Sequence, residues 1–458
     1  MKNILFISLG CDKNLVDSEK MLGLLSENGY TLVEEEKDAD AIVVNTCCFI
    51  HDAKEESIET ILEMAAWKDA GRLRALVVTG CLAQRYHEEI EQEIPEVDAI
   101  IGTTGYTEIV SVINGLLEVE GEKGDAGKKA LTCCPSVDRL PASLSDKRVV
   151  TTGGYTAFLK IAEGCNKFCS YCVIPYVRGR YRSFPMEDLL DEARHLADSG
   201  VRELILVAQE TTMYGTDTDG KKMLPELLRR LCRIEGISWI RLLYCYPEEI
   251  TDELIEVIRE EEKICHYLDM PIQHSEDAVL RRMGRKTSRA ELIALVQKLR
   301  KEIPDIVLRT TLITGFPGET EEEFESLTAF VEQMEFDRLG VFPYSPEEGT
   351  RAAEMENQIP EEIKEQRRDA IMQMQQEISA NKLDERVGRE LTVLIEGYLY
   401  EEDVYIGRTY MDAPKVDGSV FVRSEEELLS GDFVTVRITG AGEYDLMGDV
   451  IYEDEFTE

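Results

Sequence analysis

Over most of the chain, short apolar runs alternate with helical patterns, and this alternation limits the possible folds more than any other feature. Ile4–Leu9, Ala41–Asn45, Ala75–Thr79 and Ala99–Ile101 have the length and continuity of buried strands. Between them, Asp17–Ser26, Lys54–Ala66, Arg85–Gln92 and Thr107–Leu117 carry helical periodicity. Strands joined through helices pair in parallel, so residues 1–118 are expected to form an open parallel α/β sheet. Ligands of such sheets bind beyond the carboxyl ends of the strands. Cys11, Cys47 and Cys81 all fall there, each just after a strand.

A polar stretch, 119–148, is expected to be a linker. Its run Gly124 to Lys129 faintly imitates a phosphate loop, but it lacks the full glycine spacing, the Ser/Thr after lysine and a preceding strand, and is set aside. In residues 149–387, strands at Thr156–Ala162, Glu203–Ala208, Trp239–Leu243, Tyr267–Met270, Val307–Ile313 and Arg338–Pro343 alternate with helices. About six such units predict an incomplete (β/α)6-type barrel with its site at the carboxyl ends of the strands. A long polar helix, Glu361 to about Glu385, leaves it. Residues 388–458 hold five short strands between Gly, Pro and Asp turns, which predicts a small antiparallel β-barrel.

No apolar run approaches the roughly 18 residues of a membrane helix, and the opening apolar run Ile4–Leu9 is too short for a signal peptide. A cytoplasmic location without membrane association is therefore expected. There the chain's 12 cysteines would stay reduced, which favours metal or redox chemistry over disulfides. Cys165, Cys169 and Cys172 follow the first barrel strand with the spacing C-x3-C-x2-C. Structural zinc sites close with four ligands, and no fourth Cys or His lies within about twenty residues downstream. Three thiolates on a four-iron cluster leave one iron open to a substrate.

That motif, with Tyr171 before its last cysteine and a barrel around it, resembles the radical S-adenosylmethionine superfamily. The runs around Cys11, Cys47 and Cys81 are similar to the amino-terminal domain of its methylthiotransferases, and the terminal barrel to their TRAM domain. The resemblance covers essentially the whole chain. It implies two [4Fe-4S] clusters: a radical-generating one on Cys165, Cys169 and Cys172, and an auxiliary one on Cys11, Cys47 and Cys81 whose open iron carries the sulfur to be transferred. It also implies two uses of S-adenosylmethionine, one as methyl donor and one as radical source, and a cavity shared by both cluster mouths. Gln209, Glu210, Arg309, Gly315 and Gly318 are candidate S-adenosylmethionine contacts, although Glu210 stands where the family pattern leads us to expect Asp. No residue is assigned a separate catalytic role. The glycine turn also reads as an ordinary strand-to-helix connection with Thr320 as N-cap.

Leu9 to Glu19, Val207 to Gly215, Met270 to His274 and Asp412 to Gly418 look like the branch of that family that modifies an aspartate of ribosomal protein S twelve. The alternatives are a tRNA adenosine methylthiotransferase and a non-catalytic iron–sulfur adaptor that binds RNA. Charge separates them. The chain has 51 Lys and Arg against 91 Asp and Glu, a net charge of −40. From Arg389 to Glu458 there are 5 basic and 18 acidic residues, a local net of −13. That sign opposes a phosphate backbone and suits a basic ribosomal protein, free or in the ribosome. A monomeric enzyme served by a separate electron donor and sulfur source is expected, with tRNA disfavoured.

Overall fold

The computed structural model describes residues 2–71, 73–118, 130–142 and 148–452, so the glycine-containing run 124–129 lies outside the described residues. Six parallel strands form the first sheet, in the order Tyr30–Val33, Lys2–Ser8, Ala41–Thr46, Ala75–Gly80, Ala99–Ile101, Leu131–Cys133. Every residue of the two central strands Ala41–Thr46 and Ala75–Gly80 is buried, the pattern of parallel strands covered on both faces. Alternate residues feed opposite cores: Ile42, Val44, Leu76 and Val78 on one side, Ala41, Val43, Ala75 and Val77 on the other. Two edge strands escape the apolar pattern because an edge pairs on one side only. Tyr30–Val33 and Leu131–Cys133 each expose two residues. The second lies inside the stretch expected to be a linker and makes Cys133 a sheet residue.

The first helix, Asp12–Glu27, starts five residues before its apolar periodicity does. Its early turns bury Asn14, Asp17, Ser18, Glu19 and Lys20, with Val16 as the one fully buried apolar side chain among them. They meet charges of the central domain: Asp17 pairs with Lys160 and, at 2.8 Å, with Arg178, Lys20 with Glu192 at 3.0 Å, and Glu19 with Arg148 at 2.5 Å. Hydrophobic periodicity is blind to such a buried polar face.

The central sheet is open and wholly parallel, with strands Thr156–Lys160, Glu203–Val207, Trp239–Leu242, Ile264–Asp269, Val307–Thr314 and Arg338–Pro343 in chain order. Leu204, Leu206, Ile240, Leu242, Leu268 and Leu308 pack outward on the helices. The opposite face, through Ile205, Val207, Trp239, Tyr267 and Val307, packs on Val393, Leu394, Met411 and Ala413 of the terminal barrel. That barrel closes from Glu390–Leu399, Val404–Arg408, Val420–Arg423, Leu446–Val450 and Phe433–Ala441. It is not wholly antiparallel as expected, because Val420–Arg423 and Leu446–Val450 run parallel. A ring of five strands cannot alternate direction all the way round, so one parallel pair is unavoidable. The long helix Glu361–Asp384 connects the two units. Among the described residues no helix is long and apolar enough to cross a membrane.

Buried ion pairs hold the terminal barrel in place. Glu203 accepts from Arg241 at 2.9 Å and Arg408 at 2.7 Å, and Arg338 reaches Asp412 at 2.5 Å. Burial alone would raise the Glu203 carboxyl, but the two guanidinium groups hold it down at about 2. Its folded value lies below the ordinary carboxylate range, so its stabilising contribution is complete above that range and is lost as pH falls toward 2. Glu203→Gln leaves two buried arginines without their anion. It is expected to cost about 3–5 kcal/mol in urea unfolding at neutral pH, and the loss should shrink as the same measurement is carried into acid.

Candidate metal centres and cofactor site

Cys11 and Cys47 follow strands Lys2–Ser8 and Ala41–Thr46, and Cys81 opens the short helix Cys81–Arg85 after strand Ala75–Gly80. Two glycines let these loops close up. Gly10 has φ +87°, and a Cβ there would stand 2.7 Å from Cys47 Cβ and 3.1 Å from its Sγ. Gly80 has φ +94°, and a Cβ there would stand 2.3 Å from Asn45 Oδ1. Asn14 then ties all three loops together. Its Nδ2 donates to the carbonyls of Leu9 (3.1 Å) and Thr46 (2.9 Å), while its Oδ1 lies 3.6 Å from Cys81 Sγ and accepts from Arg178. The Ser57 hydroxyl accepts from the Cys47 N–H and lies 3.0 Å from the Cys47 carbonyl.

The second set hangs from the loop after strand Thr156–Lys160. Cys165 N–H donates to the Gly179 carbonyl (3.1 Å), Ser170 N–H to the Met283 carbonyl (2.8 Å), and Ala352 N–H to the Ser170 carbonyl (2.8 Å). Phe168, between the first two cysteines, takes φ +50°, a left-handed conformation costly for an aromatic residue. Arg351 donates to the Phe168 carbonyl at 2.8 Å. A cavity of about 270 Å³ lies against Phe168, Cys169, Cys172, Tyr176 and Arg351.

Burial pushes the thiols of Cys47 and Cys165 up to about 12, with Cys81 and Cys169 respectively adding to the effect. Left alone they are neutral; a metal displaces their protons and takes them as thiolates. No three His, Cys, Asp or Glu side chains among the described residues converge as ligands of a single ion.

Cofactor-sized demand is visible beside the second set. Gln209 Oε1, Glu210 Oε2, Gln273 Oε1 and Arg285 Nε are buried without a hydrogen-bond partner. Native proteins seldom leave such atoms unpaired, and a polar ligand at the strand ends would complete them. Burial pushes the Glu210 carboxyl up to about 7, against a hydrogen bond from Thr212 and the charge of Lys167 at 3.7 Å.

The other candidate contacts are already engaged. Arg309 is held by Asp269 (2.9 Å) and by Asp417 of the terminal barrel (3.3 Å), so it joins domains. The N–H groups of Gly315 and Phe316 donate to Glu319 at 3.0 and 3.3 Å, and Gly315 packs on Lys364. The turn leads into helix Glu321–Met334 through a capping box in which Thr320 accepts from Glu323 N–H at 3.2 Å. Phe316 meets Tyr171 edge-on at 6.5 Å, so the turn buttresses the cysteine loop. Gly318 lies beside Arg282.

Sequence reasoning assigned no role to Asn14, Arg178, Tyr244 or Tyr246. Tyr244, at φ +61°, donates to Asp12 next to Cys11 (3.1 Å), while the Tyr246 hydroxyl lies 3.8 Å from Cys169 Sγ. One strand-end loop thus reaches Cys169 of one set and the residue beside Cys11 of the other. The available signal was the cluster Arg178, Arg180 and Arg182 in an otherwise acidic chain.

The chain matches the uncharacterized protein family UPF0004 over residues 3–102, the radical SAM superfamily over 159–331 and the TRAM domain over 387–451. The ribosomal protein uS12 methylthiotransferase RimO of Lachnoclostridium phytofermentans is 60% identical, covering 97% of this chain and 99% of its own. RimO of Clostridioides difficile is 49% identical over 99% of this chain and 100% of its own. The chain belongs to the RimO family. It is a radical S-adenosylmethionine methylthiotransferase, and as a radical SAM enzyme it uses iron–sulfur chemistry and S-adenosylmethionine. The radical SAM methyltransferase TsrM of Kitasatospora setae shares the fold at 15% identity, with a TM-score of 0.55 over 85% of this chain and 79% of its own.

Two outcomes follow for a RimO-family site built this way. Asn14→Ala releases all three loops of the first set and is expected to lower the iron of anaerobically reconstituted protein toward about half, by iron and sulfide analysis. Glu210 has a folded value above the ordinary carboxylate range, so the protein loses stability as pH rises through about 7. Glu210→Gln is expected to flatten that loss in melting curves of the cluster-free protein.

Proposed function

We propose that this chain transfers a methylthio group to the β-carbon of an aspartate in ribosomal protein uS12, with two [4Fe-4S] clusters in adjoining sites. Cys165, Cys169 and Cys172 hold the first, and Cys11, Cys47 and Cys81 the second. Bound there, the first cluster supplies the electron that cleaves S-adenosylmethionine to a radical, and the second supplies the sulfur. The chain's own part is to hold and position. Gln209 and Glu210 would receive polar groups of S-adenosylmethionine, and the loop with Tyr244 and Tyr246 would hold Asp12 and Cys169 in position.

The observation that supports this is a single loop, Tyr244 to Tyr246, that reaches the neighbourhood of both triads. Asp12, beside Cys11, bonds Tyr244 while Tyr246 adjoins Cys169. The choice of protein over tRNA rests on the named relatives and on the net −13 of residues 389–458. Part of that charge is spent internally, since Glu396, Asp412 and Asp417 pair with Arg408, Arg338 and Arg309. Glu401, Glu402, Glu425, Glu426 and Glu427 also lie in this acidic terminal segment and would meet a basic protein.

Reconstituted enzyme, reduced in the presence of S-adenosylmethionine, should add the methylthio mass to uS12 and release 5′-deoxyadenosine. Unmodified tRNA offered instead should stay unchanged by mass spectrometry. Modified adenosine with untouched uS12 would reverse the assignment.

A further inference from the structure

We infer that Arg178 is a positioning residue for the cluster on Cys11, Cys47 and Cys81: its buried guanidinium, supplied by the radical domain, sets the electrostatic environment of a centre held by the amino-terminal domain. This rests on the two-cluster assignment proposed above.

Arg178 follows the short helix Ile174–Val177, which begins two residues after Cys172. Its side chain is 2% exposed and crosses the domain interface. There it donates to Asp17 Oδ2 at 2.8 Å, to Glu163 Oε1 at 3.3 Å and to Asn14 Oδ1. Asn14 is the residue that ties the three cysteine loops together, so the guanidinium grips the same amide oxygen that lies 3.6 Å from Cys81 Sγ. Next door, the carbonyl of Gly179 accepts from Cys165 N–H. Two consecutive residues therefore touch one cysteine triad through a side chain and the other through the backbone.

The charges around it favour an electrostatic role. Lys160 pairs with both Asp17 and Glu163, and Arg178 pairs with the same two carboxylates. Two cations and two anions make this buried quartet neutral, so it carries no surplus negative charge to repel thiolates. A cluster on three thiolates is anionic, and Arg178 is the member of the quartet bonded to the loop hub that holds them. A cation fixed in a dry site favours the more negative, reduced form of a neighbouring centre. Removing it should therefore lower the reduction potential of that centre.

The test uses the full chain carrying Cys165→Ala, Cys169→Ala and Cys172→Ala, so that only the second triad binds iron. Arg178→Gln and Arg178→Lys are compared in this background by iron content and by a reductive titration followed by electron paramagnetic resonance. Arg178→Gln is expected to shift the reduction equilibrium at least about tenfold toward the oxidised form, about 59 mV for one electron. Arg178→Lys, which keeps the charge, should recover most of the shift. A midpoint unchanged in Arg178→Gln, with iron retained, overturns the inference and leaves the two-cluster assignment standing. If Arg178→Gln loses its iron, retention by Arg178→Lys supports the charge role, and loss from both variants overturns it. A parent variant without iron removes the second cluster, and the inference with it.

Discussion

The buried polar face of helix Asp12–Glu27 is the constraint on which the rest depends. Two buried networks meet there: Asp17 with Lys160 and Arg178, and Lys20 and Glu19 with Glu192 and Arg148, which also pair with each other. Apolar contacts would hold two domains together with little preference for angle, because burial is not directional. Fully desolvated ion pairs are strict about geometry, since a misplaced partner leaves a buried charge uncompensated. The same helix begins directly after Cys11, so the interactions that dock the domains also fix one edge of a cysteine triad.

A comparable device seats the terminal barrel. Glu203, Arg241 and Arg408 form a buried cluster on the inner face of the central sheet, flanked by Arg338 with Asp412 and Arg309 with Asp269 and Asp417. The acidity of this barrel thus has two parts. Some carboxylates neutralise arginines at the interface, while Glu401, Glu402, Glu425, Glu426 and Glu427 keep the segment strongly acidic.

The repeating strands and helices of the central domain were legible because both faces of each strand are covered and its apolar run is continuous. The edge strands Tyr30–Val33 and Leu131–Cys133 were not, because half-exposed strands of three or four residues carry no run to detect. The cysteine motifs were legible from spacing and from their position after strands. The supporting residues were harder. Arg309 has the position of a ligand contact, yet two carboxylates distant in sequence hold it. Gly315 and Gly318 have the composition of a binding turn, yet Glu319 takes the N–H groups at its start.

The sequence alone determined the three-part architecture through short-range periodicity, the C-x3-C-x2-C motif through spacing, and the family through the resemblance of the runs around its cysteines. Tertiary structure decided what stands between the two groups of cysteines. Asn14, Arg178, Tyr244 and Tyr246 belong to different segments, and their roles come from contacts of up to 232 positions in sequence separation. No local pattern encodes such contacts. They exist only once buried charges have set one domain against another.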